Sequence, residues 1–239
     1  MKKLLFIIAV SLTSSFKAQV LTPKASPVAK IQQKVGLADI QIDYSRPSVN
    51  GRVIFGELIP YGQMWRLGAN ENTKITSSEA LIFGKDTLKA GTYALFAKPG
   101  ENNWEFYFYK DYSNWGLPEK WDDSKVALKV SASAQINKNW TENLTLQFDE
   151  LRYSSAKLTL CWAETKVELP FGLDTKSEVL ESIDKTMSGP AANDYHKAAT
   201  YYFNENLDLK QALEWSTKAV ELRGTSAYWM TRLKAQLQA

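Results

Sequence analysis

Tyr93-Ala94-Leu95-Phe96-Ala97-Lys98-Pro99-Gly100-Glu101-Asn102-Asn103-Trp104-Glu105-Phe106-Tyr107-Phe108-Tyr109-Lys110 decides the fold class. Residues 93–98 and 104–110 have strand-forming composition, and between them Pro99, Gly100 and three polar residues supply the conformations of a turn. A hairpin is the economical connection. The same grammar extends in both directions. Ile31, Gln33 and Val35, then Ile40, Ile42 and Tyr44, alternate with period two, and strand-like runs follow at 75–83, 126–136, 143–149, 157–164 and 166–169. Gly84-Lys85-Asp86 and Asn137-Lys138-Asn139 read as two further hairpin turns. Eight or nine short strands without intervening helices predict a mainly β domain over residues 25–170, an antiparallel two-sheet β-sandwich or jelly-roll-like barrel.

From Thr175 the period changes to that of helices. Thr175 and Glu178 read as a capping box ahead of Val179, Leu180, Ile183 and Met187, and Gly189-Pro190 ends that helix. Three more helical segments follow, at 193–203, 208–223 and from 226 onward, with Asp208 and Gln211 as a second capping pair and Gly224 as a left-handed stop. Residues 175–239 are thus a short tail of about four helices. The stretch from Ala199 to Leu222 resembles a tetratricopeptide repeat, through Ala199, Phe203, Asp208-Leu209, Ala212-Leu213, Ala219 and Leu222, with Thr200 and Ser216 departing from the pattern. One repeat cannot bury its own apolar face, so the helices are expected to dock on the sandwich or on a partner.

Residues 1–19 read as a secretory signal: Lys2-Lys3, an apolar run from Leu4 to Val10, then small and polar residues to Ala18 and Gln19, where cleavage is expected. Export to the periplasm or the cell exterior follows as an expectation. No later segment approaches the ~20 apolar residues of a bilayer-spanning helix, so no transmembrane segment is expected in the mature chain. Lys2, Lys3 and Lys17 belong to the signal; without them the 29 basic residues come level with the 26 acidic ones. A formally neutral mature chain gives no electrostatic footing for nucleic acid. Cys161 is the single cysteine and makes no internal disulfide; Leu158, Leu160 and Trp162 around it indicate a core strand.

The most distinctive composition lies between Tyr44 and Thr73. Three arginines there, Arg46, Arg52 and Arg66, are spaced by turn-forming residues and followed by Asn70, Glu71 and Thr73. Arginine presents planar forked donors, suited either to a carboxylate of the chain itself or to an anionic or sugar-like ligand. In one reading the arginines pair with Asp43, Glu57 or Glu71 and satisfy loop carbonyls. In the other, Arg46, Arg52, Arg66, Asn70, Glu71 and Thr73 form a polar floor at one end of the sandwich. Trp115, Trp121 or Tyr112 then supplies the walls, and a small polar ligand, sugar or carboxylate, binds there.

Tyr44-Ser45-Arg46-Pro47, Gly51-Arg52, Phe55-Gly56, Trp65-Arg66, Gly68-Ala69-Asn70, Thr73, Ala90-Gly91-Thr92-Tyr93, Pro99-Gly100, Trp104 and Trp115-Gly116 together resemble the secreted bacterial proteins grouped as domain of unknown function 2911. The likeness spans roughly residues 25–165. It implies export, a β-sandwich and no established activity, and it carries over no catalytic residue.

Enzyme chemistry receives little support from the residues themselves. His196, the only histidine, lies in the helical tail. Histidine-based triads within the sandwich and multi-histidine metal sites are thereby excluded. Asp122-Asp123 lacks the alternating ligands of a calcium loop, no glycine-rich phosphate loop is present, and neither metal nor cofactor is expected. Two alternatives to a ligand-binding module stand. One is a carbohydrate-active hydrolase in which Glu71 acts with Asp43 or Glu57. The other is an interaction protein whose tail recruits a partner through Tyr201, Tyr202, Trp215, Tyr228 and Trp229.

Overall fold

The computed structural model describes residues 22–187, 189–224 and 226–239. The signal-like residues 1–19 lie outside the described residues. Nine strands come first among the described residues: β1 (Val28–Val35), β2 (Ala38–Ser45), β3 (Thr73–Ser77), β4 (Leu81–Phe83), β5 (Asp86–Leu88), β6 (Gly91–Lys98), β7 (Asn103–Tyr109), β8 (Val126–Asp149) and β9 (Ser155–Gly172). They pair antiparallel throughout in the order β1-β2-β3-β6-β7-β8-β9-β4-β5.

β8 is the element that turns one ribbon of strands into two layers. Its first part pairs with β7, from Val126 to Ser133, and its remainder pairs with β9, from Ala134 to Asp149. Asn137-Lys138-Asn139 is therefore not a hairpin turn, as its composition predicts, but the middle of a strand. The register slips between Ile136 and Thr141 and again between Thr141 and Thr145, opposite Ala163, which takes φ 51°. Such bulges bend and twist a strand without ending it, so the polar residues mark the corner between the layers. The turn that does reverse the chain comes later, at 150–154, with Glu150 at φ 50°.

Period-two alternation supplies the core. Ala38, Ile40, Ile42 and Tyr44 of β2 are buried while Asp39, Gln41 and Asp43 are not, and on β7 Trp104, Phe106 and Phe108 face the same interior. Leu144, Leu146, Leu158, Leu160, Trp162, Val167 and Leu169 come to meet them from the second layer. Phe55 wedges into this core edge-on to three tryptophans, with ring centroids 4.8 Å from Trp104, 5.9 Å from Trp65 and 6.0 Å from Trp162. The opposite face of the first layer has its own small core. Ala94, Phe96 and Tyr109 are buried there beneath Trp121 and Met64, so the segment from 110 to 125 is tied down over the sheet.

Four helices follow: α1 (Thr175–Thr186), α2 (Ala192–Asn204), α3 (Leu209–Arg223) and α4 (Tyr228–Gln238). Asp208 caps α3 as its sequence predicts, accepting the backbone N–H groups of Lys210 and Gln211, and Gly224 ends that helix at φ 83°. Thr175 behaves differently from the predicted capping box. Asp174 occupies the cap position, and Thr175 is the buried first residue of α1, turned onto Gly36, where any Cβ would collide with its side chain. Gly36 sits at φ 56° in the two-residue β1–β2 turn, so one position meets both the turn's need for left-handed backbone and the helix's need for a close approach. A second contact seats the tail. The Asn204 side-chain amide donates to the Tyr153 hydroxyl at 2.7 Å, and the rings of Tyr153 and Tyr201 lie 6.1 Å apart.

Candidate functional site

Arg46 leaves the end of β2 and crosses to the second layer. Its Nε donates to the Leu144 carbonyl at 2.9 Å and its Nη2 to the Thr145 hydroxyl at 2.7 Å, while Tyr44, two residues earlier on the same face, accepts the Leu146 backbone N–H through its hydroxyl. Arg52 closes its own loop, donating from Nε to the Val49 carbonyl and from Nη2 to the Ser48 carbonyl. The Asn50 backbone N–H donates to Glu142, and this bond, ahead of one from the Trp140 indole, holds the Glu142 carboxyl below the usual range. The 46–52 loop is in this way laced to β8. The predicted pairing with loop carbonyls is present; the predicted pairing with Asp43, Glu57 or Glu71 is not. No arginine shares an ion pair with a carboxylate among the described residues.

Arg66 is arranged otherwise. Its half-buried side chain lies along the backbone of Gly116, with Nη1 2.8 Å and Cδ 3.5 Å from where a Cβ would stand, and the Asn70 carbonyl is 3.7 Å from the same point. Gly116 holds φ 81°, so the close approach and the left-handed turn both depend on glycine. Among the described residues the Arg66 guanidinium has neither a hydrogen bond nor an ion pair. Trp115, the preceding residue, is 68% exposed. Asn114, one further back, has its Nδ2 buried with no acceptor.

The remaining predicted residues are divided between these settings. Thr73 is fully buried, and its hydroxyl donates to the Leu67 carbonyl at 2.7 Å, pinning a residue held at φ 55°. Asn70, at φ 59°, donates from Nδ2 to the Ser26 carbonyl, while the Arg46 backbone N–H donates to Pro27, so the segment before β1 runs between the two arginine settings. Glu71 is exposed and unpaired among the described residues. It lines a depression of about 50 Å³ with Asp43, Tyr44, Asn70 and Asn72. Asn72 was absent from the predicted site, yet it is 2% exposed with both ends of its amide unpartnered. Its place beside Asn70 in an irregular loop was visible in the sequence; its inward orientation depends on the tertiary packing.

Outside this region, the Cys161 thiol is half-buried and pushed up by burial, and burial pushes the His196 imidazole down; among the described residues neither has a partner of the kind nucleophilic catalysis uses. No group of three or more His, Cys, Asp or Glu suited to a metal ion occurs among the described residues. No helix among them is long and apolar enough to cross a membrane.

An antiparallel two-layer β domain that offers donor side chains at a loop-built corner defines a class of architecture and not a reaction. The chain belongs to the family of proteins of unknown function DUF2911, whose model matches residues 26–171, the strand-built part of the molecule. No curated protein and no solved structure matches the chain.

Proposed function

We propose that this is an exported, non-enzymatic binding module that takes a small carboxylate-bearing ligand at the corner formed by Arg66, Asn114 and Trp115. One observation carries the reading: among the described residues the Arg66 guanidinium, a donor with no acceptor of its own, lies against Gly116, the neighbour of an exposed indole, and two residues before that glycine the buried Asn114 amide nitrogen also lacks an acceptor. Donors without acceptors suit a carboxylate, which the guanidinium can engage through two parallel bonds. The indole gives an apolar face for the rest of the ligand. Arg46, Arg52 and Thr73 then act as the frame, and Asn70 and Glu71 as the rim. The hydrolytic alternative is the weaker one. The depression shared by Glu71 and Asp43 has about 50 Å³, far below the ~300 Å³ at which small-molecule pockets begin.

The test is a thermal-shift screen of acetate, citrate, glucuronate and neutral disaccharides against the protein and its Arg66→Ala variant. A carboxylate should raise the melting temperature of the protein and leave that of the variant unmoved. Equal shifts in both, or none with any acid, defeat the reading. Export rests on the charged, apolar and small-residue order of residues 1–19, and N-terminal sequencing of the secreted protein should find a start near Ala18 or Gln19.

A partner-binding tail is favoured by a separate observation. Tyr202 and Trp215 are turned toward each other between α2 and α3, with centroids 4.9 Å apart, but Tyr228 is 73% and Trp229 43% exposed at the start of α4. A photo-crosslinking residue at position 229 should capture one defined partner in the producing cell. Recovery of the uncrosslinked chain alone counts against this role.

A further inference from the structure

A second concavity, remote in sequence from the Arg66 corner, opens where the β6–β7 turn, the 55–61 loop and the bend of β8 against β9 come together. It encloses about 300 Å³, the small end of the range for ligand pockets. Aromatic rings form one side. Phe55 is braced edge-on against Trp104 from below, and the Tyr61 ring lies across Gly56, 3.1 Å from where a Cβ would stand, with 41% of the residue exposed. Gly56 takes φ 96°, so its backbone and its missing side chain both serve to lay that ring flat.

Polar groups form the other side: Glu101, Asn102, Gln135 and Glu164. Neither Glu101 nor Glu164 shares an ion pair among the described residues, and no lysine or arginine lines the cleft. The walls are cross-braced through the backbone. Gly62 N–H donates to the Pro99 carbonyl at 2.7 Å, and Ala134 N–H donates to the Asn102 carbonyl at 3.0 Å. The bulged stretch of β8 faces Ala163, whose left-handed φ of 51° immediately before Glu164 re-aims that part of β9 just where the cleft is built.

We propose that this cleft is a binding site for a neutral saccharide, a single ring or the end of a short chain, stacked on Tyr61 and Phe55. A sugar ring has an apolar face for the aromatic side and hydroxyl groups that donate to Glu101 and Glu164. Those hydroxyls also use the donors and acceptors of Asn102 and Gln135. The uncompensated carboxylates exclude an anion, so the ligand differs in charge from the one proposed for Arg66. A simple organic cation suits the carboxylates and rings but leaves the amide donors unused.

The experiment is isothermal titration of the protein with maltose, cellobiose and N,N′-diacetylchitobiose, and with choline as the cationic probe. At least one disaccharide should bind saturably and choline should not. Tyr61→Ala should weaken that binding about tenfold, Glu164→Gln should weaken it as well, and Arg66→Ala should leave it unchanged. Both Tyr61 and Glu164 are exposed, so neither variant challenges the fold. Absence of binding by all three sugars overturns the proposal. So does sugar binding indifferent to both cleft variants, or choline binding stronger than any sugar. Because Arg66→Ala separates the two sites, failure here leaves the carboxylate reading standing, and the reverse.

Discussion

Arg46 and Arg66 come from the same loop-rich stretch and carry the same side chain, yet one is fully engaged and the other is not. Arg46 spans the two layers and satisfies a carbonyl and a hydroxyl on β8. Arg66 rests against a glycine and has no partner among the described residues. A guanidinium inside a fold is scaffold or recognition group according to the acceptors that tertiary structure brings to it. Composition alone does not separate the two. The contrast makes a sharp statement about stability: substitutions at Arg46 should damage the fold, and those at Arg66 should damage only binding.

The largest effect should come from Arg46→Ala. It removes two charge-assisted bonds and strips the Leu144 carbonyl of its side-chain partner, and a loss of about 2–3 kcal/mol is expected in urea unfolding. Arg52→Ala, whose bonds stay within its own exposed loop, should cost roughly 1 kcal/mol. If Arg46→Ala unfolds at the same urea concentration as the parent protein, the division between frame and site is broken.

Gly116→Ala probes the other side of the comparison. A Cβ there must accept φ 81° and displace Arg66 Nη1, so a loss of about 1–2 kcal/mol is expected from the backbone conformation. Carboxylate binding should fall with it. Arg66→Ala, by contrast, gives up the packing of a half-buried stem against Gly116 but no hydrogen bond or ion pair among the described residues, and should shift stability by only about 0.5 kcal/mol while abolishing the ligand-induced thermal shift. A variant as damaged as Arg46→Ala would place Arg66 in the scaffold.

The strands were legible because a half-buried sheet writes its faces into alternate residues, as at Ala38, Ile40, Ile42 and Tyr44. Helix ends were legible where a local group does the capping, as at Asp208. The continuity of β8 was not. Asn137-Lys138-Asn139 has the composition of a turn, and only the slipped register opposite Ala163 keeps it extended. Thr175 was misassigned for a similar reason, since its inward direction is set by Gly36, nearly 140 residues away. Of the predicted site, the residues were legible and their division was not. Nothing local distinguishes Arg46 from Arg66. The cleft beside Tyr61 had no sequence signature, because its residues come from four separate segments that meet only once the sheet has folded over.

The smallest effect concerns the pH at which the Trp115 segment holds its place. Asp111 begins that segment, and its carboxylate accepts bonds from the Ser113 hydroxyl, from Lys125 at 3.1 Å and from the Ser113 backbone N–H. The Ser113 hydroxyl bond leads these in lowering the Asp111 carboxyl from an ordinary 3.8 to about 2. A carboxyl depressed by folding contributes its stabilisation in full above the unfolded value and loses it as pH falls through the folded one. The ordering of the segment should therefore hold above about pH 4 and fade between there and pH 2, visible as a red shift in tryptophan emission as Trp121 loosens from Tyr109 and Phe96. Asp111→Asn should erase that acid step while leaving the Arg46 frame, and hence the main unfolding transition, where it was. An acid step that persists in Asp111→Asn would show that the segment is held by its aromatic seat alone, and that the corner carrying Arg66 and Trp115 owes its geometry to packing and not to charge.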